Sequence, residues 1–239
     1  LGLLRRERRQ LHAELAEDMA MCLEGLRSRC WPAAGACIEV AAGDLWLLRH
    51  LFRLTDISAI TCVEYSENRL LKLGPETISR DNLPAERITL ALGSYYDIQT
   101  EPESADFAVL CQALHHADDP VAVLMQVKRA LKPGGSIIVM GEHVANWSLW
   151  NDLLHPFFLL ASRLFPGSLL SYCPAGRPRG LVANSQDLFP KDPVLGDHTY
   201  FRRDYRAMFR QAGLKLSFLR RAESPWLSII GLKPVSPTP

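Results

Sequence analysis

Few residues in this chain have the type and spacing to do chemistry, and they fall at regular intervals. Glu39 lies in the apolar run Cys37-Ile38-Glu39-Val40, which leads into Ala41-Ala42-Gly43-Asp44. Small residues in such a turn let the backbone approach a ligand closely. A second carboxylate, Glu64, closes the next apolar run at 64 − 39 = 25 positions beyond Glu39. A carboxylate at the end of a second strand can accept both hydroxyls of a ribose, and one on the first strand can meet a cationic amine, directly or through water. A third run is followed by Gly93-Ser94-Tyr95-Tyr96-Asp97, where an adenine edge would sit. Then come histidines: His115-His116, His143 and His198. An imidazole titrates near neutrality and can take a proton from a hydroxyl. The adjacent pair His115-His116 has no carboxylate or cysteine at ligand spacing, so no metal site is expected there.

These groups need elements to hold them, and the pattern supplies them. Leu11, Leu15, Met19, Cys22 and Leu26 recur at steps of four and three, which predicts a helix over 4–29 with one apolar stripe. This helix either packs on the body or covers the ligand. Trp31-Pro32 and Gly35 end it. Strands are predicted over 36–40, 58–63, 88–92 and 107–111, with helices over 45–54 and 66–73, and 75–84 reads as a polar connection. Asp119-Pro120 starts another helix with Val121, Leu124, Met125 and Val127 facing inward. Leu131-Lys132-Pro133-Gly134-Gly135 stops it as a structural turn before a strand over 136–140. Alternation of this kind implies βαβ crossovers and a doubly wound, mostly parallel α/β sheet. Ligands then bind beyond the carboxyl ends of the strands, at the topological switch point.

After Met140 the rhythm breaks. Residues 144–200 show no strand pattern and crowd Trp147, Trp150, Phe157, Phe158, Phe165 and Tyr172 together. They are expected to form a helical or loop insert, either a small local core or a lid shaping an apolar pocket. A helix over 204–212, closed by Gly213, and a strand pair over 214–219 and 226–232 complete the chain.

The order of segments carries a resemblance. The run Ala105-Asp106-Phe107-Ala108-Val109-Leu110-Cys111-Gln112-Ala113-Leu114-His115-His116-Ala117-Asp118-Asp119-Pro120, followed by Leu131-Lys132-Pro133-Gly134-Gly135-Ser136, resembles the class I S-adenosylmethionine-dependent methyltransferase superfamily, in its bacterial small-molecule branch. The likeness covers 36–141 and resumes more weakly over 205–213. It implies a seven-stranded Rossmann-like methyltransferase sheet with an N-terminal helix, in a single domain: helix 1–30, cofactor core 36–143, acceptor-side insert 144–200, and C-terminal helix and strand pair 201–233. It implies S-adenosylmethionine as cofactor, S-adenosylhomocysteine as product, and no metal. Glu39, Ala41 and Gly43 would take the methionine part, and Glu64 the ribose. Tyr65, Ser94 and Tyr95 would flank the adenine. Cys111, Gln112 and His116 would line the sulfonium side.

Where the family turn is rich in glycine, this chain has Ala41, Gly43 and Leu45, and Leu45 is expected to add bulk facing the ligand. Ser94 stands where an acid is usual; its hydroxyl can still accept from an adenine amine. The implied reaction is methyl transfer to oxygen or nitrogen of a small, partly apolar acceptor, as in natural-product or sugar tailoring. His143 or His198 would serve as base, with Asp197 or Tyr200 orienting His198. The alternative is a methyltransferase-like binding or partner protein that no longer transfers methyl. A nicotinamide-dependent oxidoreductase would want Gly-x-Gly-x-x-Gly after the first strand, and Ala41-Ala42-Gly43-Asp44-Leu45-Trp46 argues against it.

The bulk composition agrees with an enzyme of small molecules. The 239 residues are 48% hydrophobic, enough for one sizeable core. The formal net charge of +1 points to no nucleic-acid or anionic membrane partner. The apolar stretch 153–165 falls short of the roughly 20 residues a membrane helix needs. The arginine-rich start lacks the apolar run of a secretory signal, and the six cysteines show no CxxC pair, which together suggest a reducing, cytoplasmic setting. A homodimer is left open.

Overall fold

The computed structural model describes residues 2–144, 192 and 196–235, with residues 2–9 described in backbone only. The chain divides into two compact units, residues 1–142 with 208–239, and residues 143–207.

The first unit is built on a seven-stranded sheet in the order β3-β2-β1-β4-β5-β7-β6. Its strands are β1 (Gly35–Val40), β2 (Ile57–Glu64), β3 (Ile88–Leu92), β4 (Ala105–Cys111), β5 (Leu131–Glu142), β6 (Lys215–Leu219) and β7 (Leu227–Leu232). β1 pairs in parallel with β2 and β4, β2 with β3, and β4 with β5. β7 runs antiparallel between β5 and β6. The order reverses beside β1, so the switch point lies between β1 and β4. Phe107–Leu110 of β4 and Ile137–Met140 of β5 are buried, as strands covered on both faces must be.

Helix α1 (Gly2–Arg27) buries its stripe as the spacing predicts: Leu15, Met19, Cys22 and Leu26 have no exposed surface, and Leu23 joins them. Each such side chain is worth about 1.5–3 kcal/mol. Among the described residues, the fully buried Asp18 of this stripe accepts from Arg221 Nε at 3.0 Å and Ser224 Oγ at 2.7 Å, which ties α1 to the β6–β7 connection. Arg221 also reaches Glu17.

Four local expectations change. The helix expected over 45–54 begins later, as α2 (Leu48–Leu54), because Leu45 takes a left-handed φ of +63°. The polar connection expected over 75–84 contains a helix, α3 (Gly74–Arg80), continuing from a π-helical segment (Asn68–Leu73). Pro75 sits in its first turn, where a missing N–H costs nothing. In α4 (Pro120–Ala130), Met125 is 56% exposed, whereas Val123 faces inward with Leu124 and Val127. Asp119 caps α4 by accepting from Ala122 N at 3.0 Å. The strand expected over 136–140 extends back through the Pro133-Gly134-Gly135 segment. There Lys132 Nζ meets Asp106 Oδ1 at 2.8 Å, and Asp106 Oδ2 accepts from Ala36 N at 2.8 Å. The lysine of this turn therefore pins the starts of β1, β4 and β5.

In the second unit, Val144 and Tyr200 form an isolated parallel bridge, and Tyr200 and Tyr205 meet edge to face at 5.5 Å. Helix α5 (Arg202–Gln211) opens with Phe201 N donating to Asp204 Oδ2 at 3.0 Å. The expected insert lies outside the described residues except for Val144, Asp192 and 196–200.

Candidate functional site

The turn after β1 has the backbone of a glycine-rich loop with a single glycine. Ala41, Gly43 and Leu45 all take left-handed φ values, +58°, +60° and +63°. A left-handed residue other than glycine costs roughly 1–2 kcal/mol. The bulk expected from Leu45 does not reach the ligand side. Its side chain is fully buried in the core and lies against Gly74, where a Cβ would meet Leu45 Cδ1 at 3.0 Å. A Cβ placed on Gly43 would meet nothing within 4 Å, so the space over that residue is open.

Glu64 ends β2 with 7% exposure and organises this turn. Its Oε2 accepts from Gly43 N at 2.9 Å and its Oε1 from Ser66 N at 2.8 Å. Its backbone carbonyl accepts from Gly93 N at 3.0 Å, which draws the β3 turn alongside. Each carboxylate oxygen has two lone pairs and one N–H, so each retains a lone pair for a ribose hydroxyl.

Glu39 is 2% exposed in β1, in register with Cys62 of β2 and Val109 of β4. The Cys62 thiol approaches its Oε2 at 3.9 Å. Among the described residues no cation lies within ion-pair distance of it. Burial, then the nearby Asp44 and Glu64 charges, push the Glu39 carboxyl up from 4.5 to about 8, against a small lowering from Cys62. A buried carboxyl held neutral beside two other acids marks Glu39 as a candidate site residue.

The remaining residues gather around these two carboxylates to different degrees. Ser94 closes its own turn, its Oγ accepting from Tyr96 N at 3.1 Å. Tyr65 is 82% exposed, a ring face open to stacking. The Tyr95 hydroxyl donates to the His116 carbonyl at 3.5 Å, and its ring meets Tyr96 edge to face at 4.8 Å. Cys111 ends β4 with its thiol pushed well up by burial, then by Glu39 and Glu142. Gln112 follows at φ +50°, its N–H held by Met140 O at 2.8 Å. The left-handed Gly141 (φ +72°) makes this fit possible, since a Cβ there would lie 2.6 Å from Gln112 Cγ. His116 is exposed.

His143 and His198 belong to the second unit. His143 Nε2 lies 3.6 Å from Asp197 Oδ2, and its carbonyl accepts from Tyr205 Oη at 3.0 Å. His198 is 8% exposed and stacks on Tyr200 with ring centres 5.7 Å apart. Asp197 therefore pairs with His143, while Tyr200 packs on His198.

Sequence reasoning missed two features of the first unit. His115 is 2% exposed, and its Nδ1 lies 3.3 Å from Oε2 of the fully buried Glu142. Glu142 at the end of an apolar strand was the available signal. Trp46, next to the strained turn, stacks on His12 of α1 at 4.0 Å; a partner that distant in sequence leaves no local signal.

A seven-stranded, mostly parallel sheet with this switch point and flanking helices is consistent with a Rossmann-like methyltransferase fold. Residues 38–139 match the family model described as a methyltransferase domain, and the fold and the order of motifs agree with the class I S-adenosylmethionine-dependent methyltransferase superfamily. Among curated proteins, the demethylmenaquinone methyltransferase of Listeria monocytogenes is 26% identical over 129 residues, covering 54% of this chain and 53% of that protein. The ubiquinone/menaquinone biosynthesis C-methyltransferase UbiE of Geobacter sp. is 25% identical over 127 residues, covering 53% of each. The chain thus spans about half the length of the curated relatives it matches. Among solved structures, a chain from the Haloferax volcanii complex between the Trm112 methyltransferase activator and a methyltransferase has a TM-score of 0.61 at 15% identity, covering 96% of this chain and 93% of that one. That last likeness is one of fold. No helix among the described residues is long and apolar enough to cross a membrane.

Proposed function

We propose that this protein transfers a methyl group from S-adenosylmethionine to a small, partly apolar acceptor in the cytoplasm and releases S-adenosylhomocysteine. The observation that carries this reading is the Glu64 carboxylate, fixed by the Gly43 and Ser66 amides beside a turn with open space above it. When bound, the cofactor supplies an electrophilic methyl carbon on a sulfonium. Glu64 holds the ribose diol, and Glu39 faces the cationic end with the backbone of Ala41 and Gly43. Tyr65, Ser94 and Tyr95 border the adenine, and Cys111, Gln112 and His116 line the reacting side. Catalysis then rests on alignment and on keeping water out. Proton removal is needed where the acceptor atom carries a proton, and His143 and His198 are the sequence-derived candidates for it.

Oxygen or nitrogen is the acceptor atom favoured by the sequence. The curated relatives are named for methylation in quinone biosynthesis, one of them at carbon. Both are served by an electron-rich hydroxylated ring, and that is the acceptor class to test first. A second reading, a methyltransferase-like protein that binds without transferring, draws support from Ala41 and Leu45 at left-handed positions.

Calorimetric titration with S-adenosylmethionine and S-adenosylhomocysteine separates these. Binding in the micromolar range, about −8 kcal/mol, together with a tenfold or greater loss in Glu64→Ala, roughly the worth of a charge-assisted pair of hydrogen bonds, supports the cofactor role. Binding without methyl transfer to any hydroxylated aromatic favours the second reading. No binding at millimolar ligand overturns the first reading and favours a partner protein that has lost the cofactor.

A further inference from the structure

The candidate site leaves one buried acid unused. Glu142 is the last residue of β5 and has no exposed surface, on a strand whose preceding residues Ile137–Met140 are apolar. Burying a carboxylate in such surroundings costs several kcal/mol, and an apolar residue would hold the sheet as well. Its two oxygens are both engaged by the short turn that follows β4 (Leu114–His116): Oε1 accepts from Leu114 N at 3.2 Å, and Oε2 faces His115 Nδ1 at 3.3 Å. A carboxylate on Nδ1 keeps the proton on that nitrogen and fixes the plane of the ring. The His115 ring in turn packs against that of His116, with centres 4.3 Å apart and planes tilted by 46°. From the other side, the Tyr95 hydroxyl donates to the His116 carbonyl at 3.5 Å.

Glu142 thus orients the His115 ring against the exposed His116 imidazole, while Tyr95 holds the His116 backbone. His116 follows the carboxyl end of β4, the strand on the far side of the switch point from the ribose carboxylate. Within the first unit, the titratable groups nearest it are His115 and Asp118 of its own loop and Tyr95 of the β3 turn, with Glu142 of β5 acting through His115.

We propose that His116 takes the proton of the acceptor, and that His115 and Glu142 are the residues that position it. This inference rests on the methyl-transfer reading. The step balances as follows: the sulfonium S–CH3 bond breaks, with its electron pair going to sulfur. The acceptor atom forms the new bond to the methyl carbon and gives its proton to an imidazole nitrogen of His116.

The test joins a spectroscopic arm to a kinetic one. In ¹⁵N-histidine NMR of the full chain, His115 carries its proton on Nδ1, and Glu142→Gln, whose amide can still accept from Leu114 N, moves it to Nε2 and shifts the His116 ring signals. His115 protonated on Nε2 in the wild type, or unchanged His116 signals in Glu142→Gln, overturns the positioning role. In the kinetic arm, labelled methyl is followed from S-adenosylmethionine to 1,4-dihydroxynaphthalene. The expectation is that His116→Gln lowers kcat about 100-fold and Glu142→Gln about tenfold, with the KM for S-adenosylmethionine within about twofold of wild type. Wild-type kcat in His116→Gln, with the wild type active, overturns the proposal and leaves methyl transfer standing. A wild type that transfers nothing to this probe while His115 shows the expected tautomer overturns methyl transfer to this acceptor class, and the role of His116 with it.

Discussion

Glu39 is the residue whose surroundings contradict its charge most. Its carboxyl is pushed up from 4.5 to about 8, chiefly by burial. In the pH range between those values the folded protein holds a proton that the unfolded chain has lost. Stability from this group is therefore fully present below about 4.5 and declines as pH rises toward 8. Chemical denaturation of Glu39→Gln should show the variant gaining on the wild type as pH climbs from 5 to 9; parallel curves would remove the raised value. The same protonation predicts that a cationic ligand ionises Glu39 on binding. Titrations with S-adenosylmethionine at a pH near 6.5, in buffers of differing ionisation heat, should reveal about one proton released per ligand bound.

Ala41 shows a different kind of tension. Glycine there removes the strain of φ +58° at some cost in chain entropy. Ala41→Gly should raise stability by up to about 1 kcal/mol. Leu45→Gly removes similar strain but empties a fully buried site, and should lower stability by roughly 2–5 kcal/mol. Urea melts of the two variants should move in opposite directions. The sequence showed that glycines were missing here; it did not show that the backbone keeps the glycine conformation, because a core-directed side chain at Leu45 depends on Gly74, 29 residues (74 − 45) away.

At the scale of elements, β3 lies where periodicity placed it, and the helix started by Asp119-Pro120 begins as its capping chemistry dictates. Both are set by signals within a few residues. α3 was illegible because Pro75 and a run of polar residues read as a loop, although proline in the first turn of a helix is as much a start as a break. The Glu142–His115 pair was illegible for another reason, since it joins two strand ends 27 residues apart. Helix α1 supplies the clearest test at this scale. Arg221→Ala leaves the buried Asp18 charge with the Ser224 hydroxyl as its hydrogen-bond donor from the β6–β7 connection. Such a change should cost about 3 kcal/mol. Amide hydrogen exchange should report it as faster opening of residues 14–22 in α1, with β1 and β4 little affected. Uniform acceleration across the sheet would mean that the latch is not local.

Taken as a whole molecule, the doubly wound, mostly parallel sheet was legible because alternating apolar runs admit few topologies once crossovers are right-handed. Residues 144–200 were not legible as elements, because their sequence shows no periodicity. The architecture alone does not choose a substrate, which is why cofactor affinity and acceptor chemistry need separate experiments. Ligand linkage gives a test for the whole molecule: S-adenosylhomocysteine at 100 times its Kd should stabilise the fold by about 2.7 kcal/mol, visible as a rise in Tm. Glu64→Ala should lose most of that rise at the same ligand concentration.

The position of β7 has a consequence for how the chain is made. This strand is last in sequence, yet it lies inside the sheet between β5 and β6, and α1 at the opposite end of the chain packs on all three. On the ribosome, β5 therefore has an open edge until residues 227–232 emerge, and α1 has no complete surface to settle on. A nascent chain arrested near residue 225 should stay sensitive to protease and prone to pair edge to edge with its neighbours, although nearly all of its cofactor-side residues have already been synthesised.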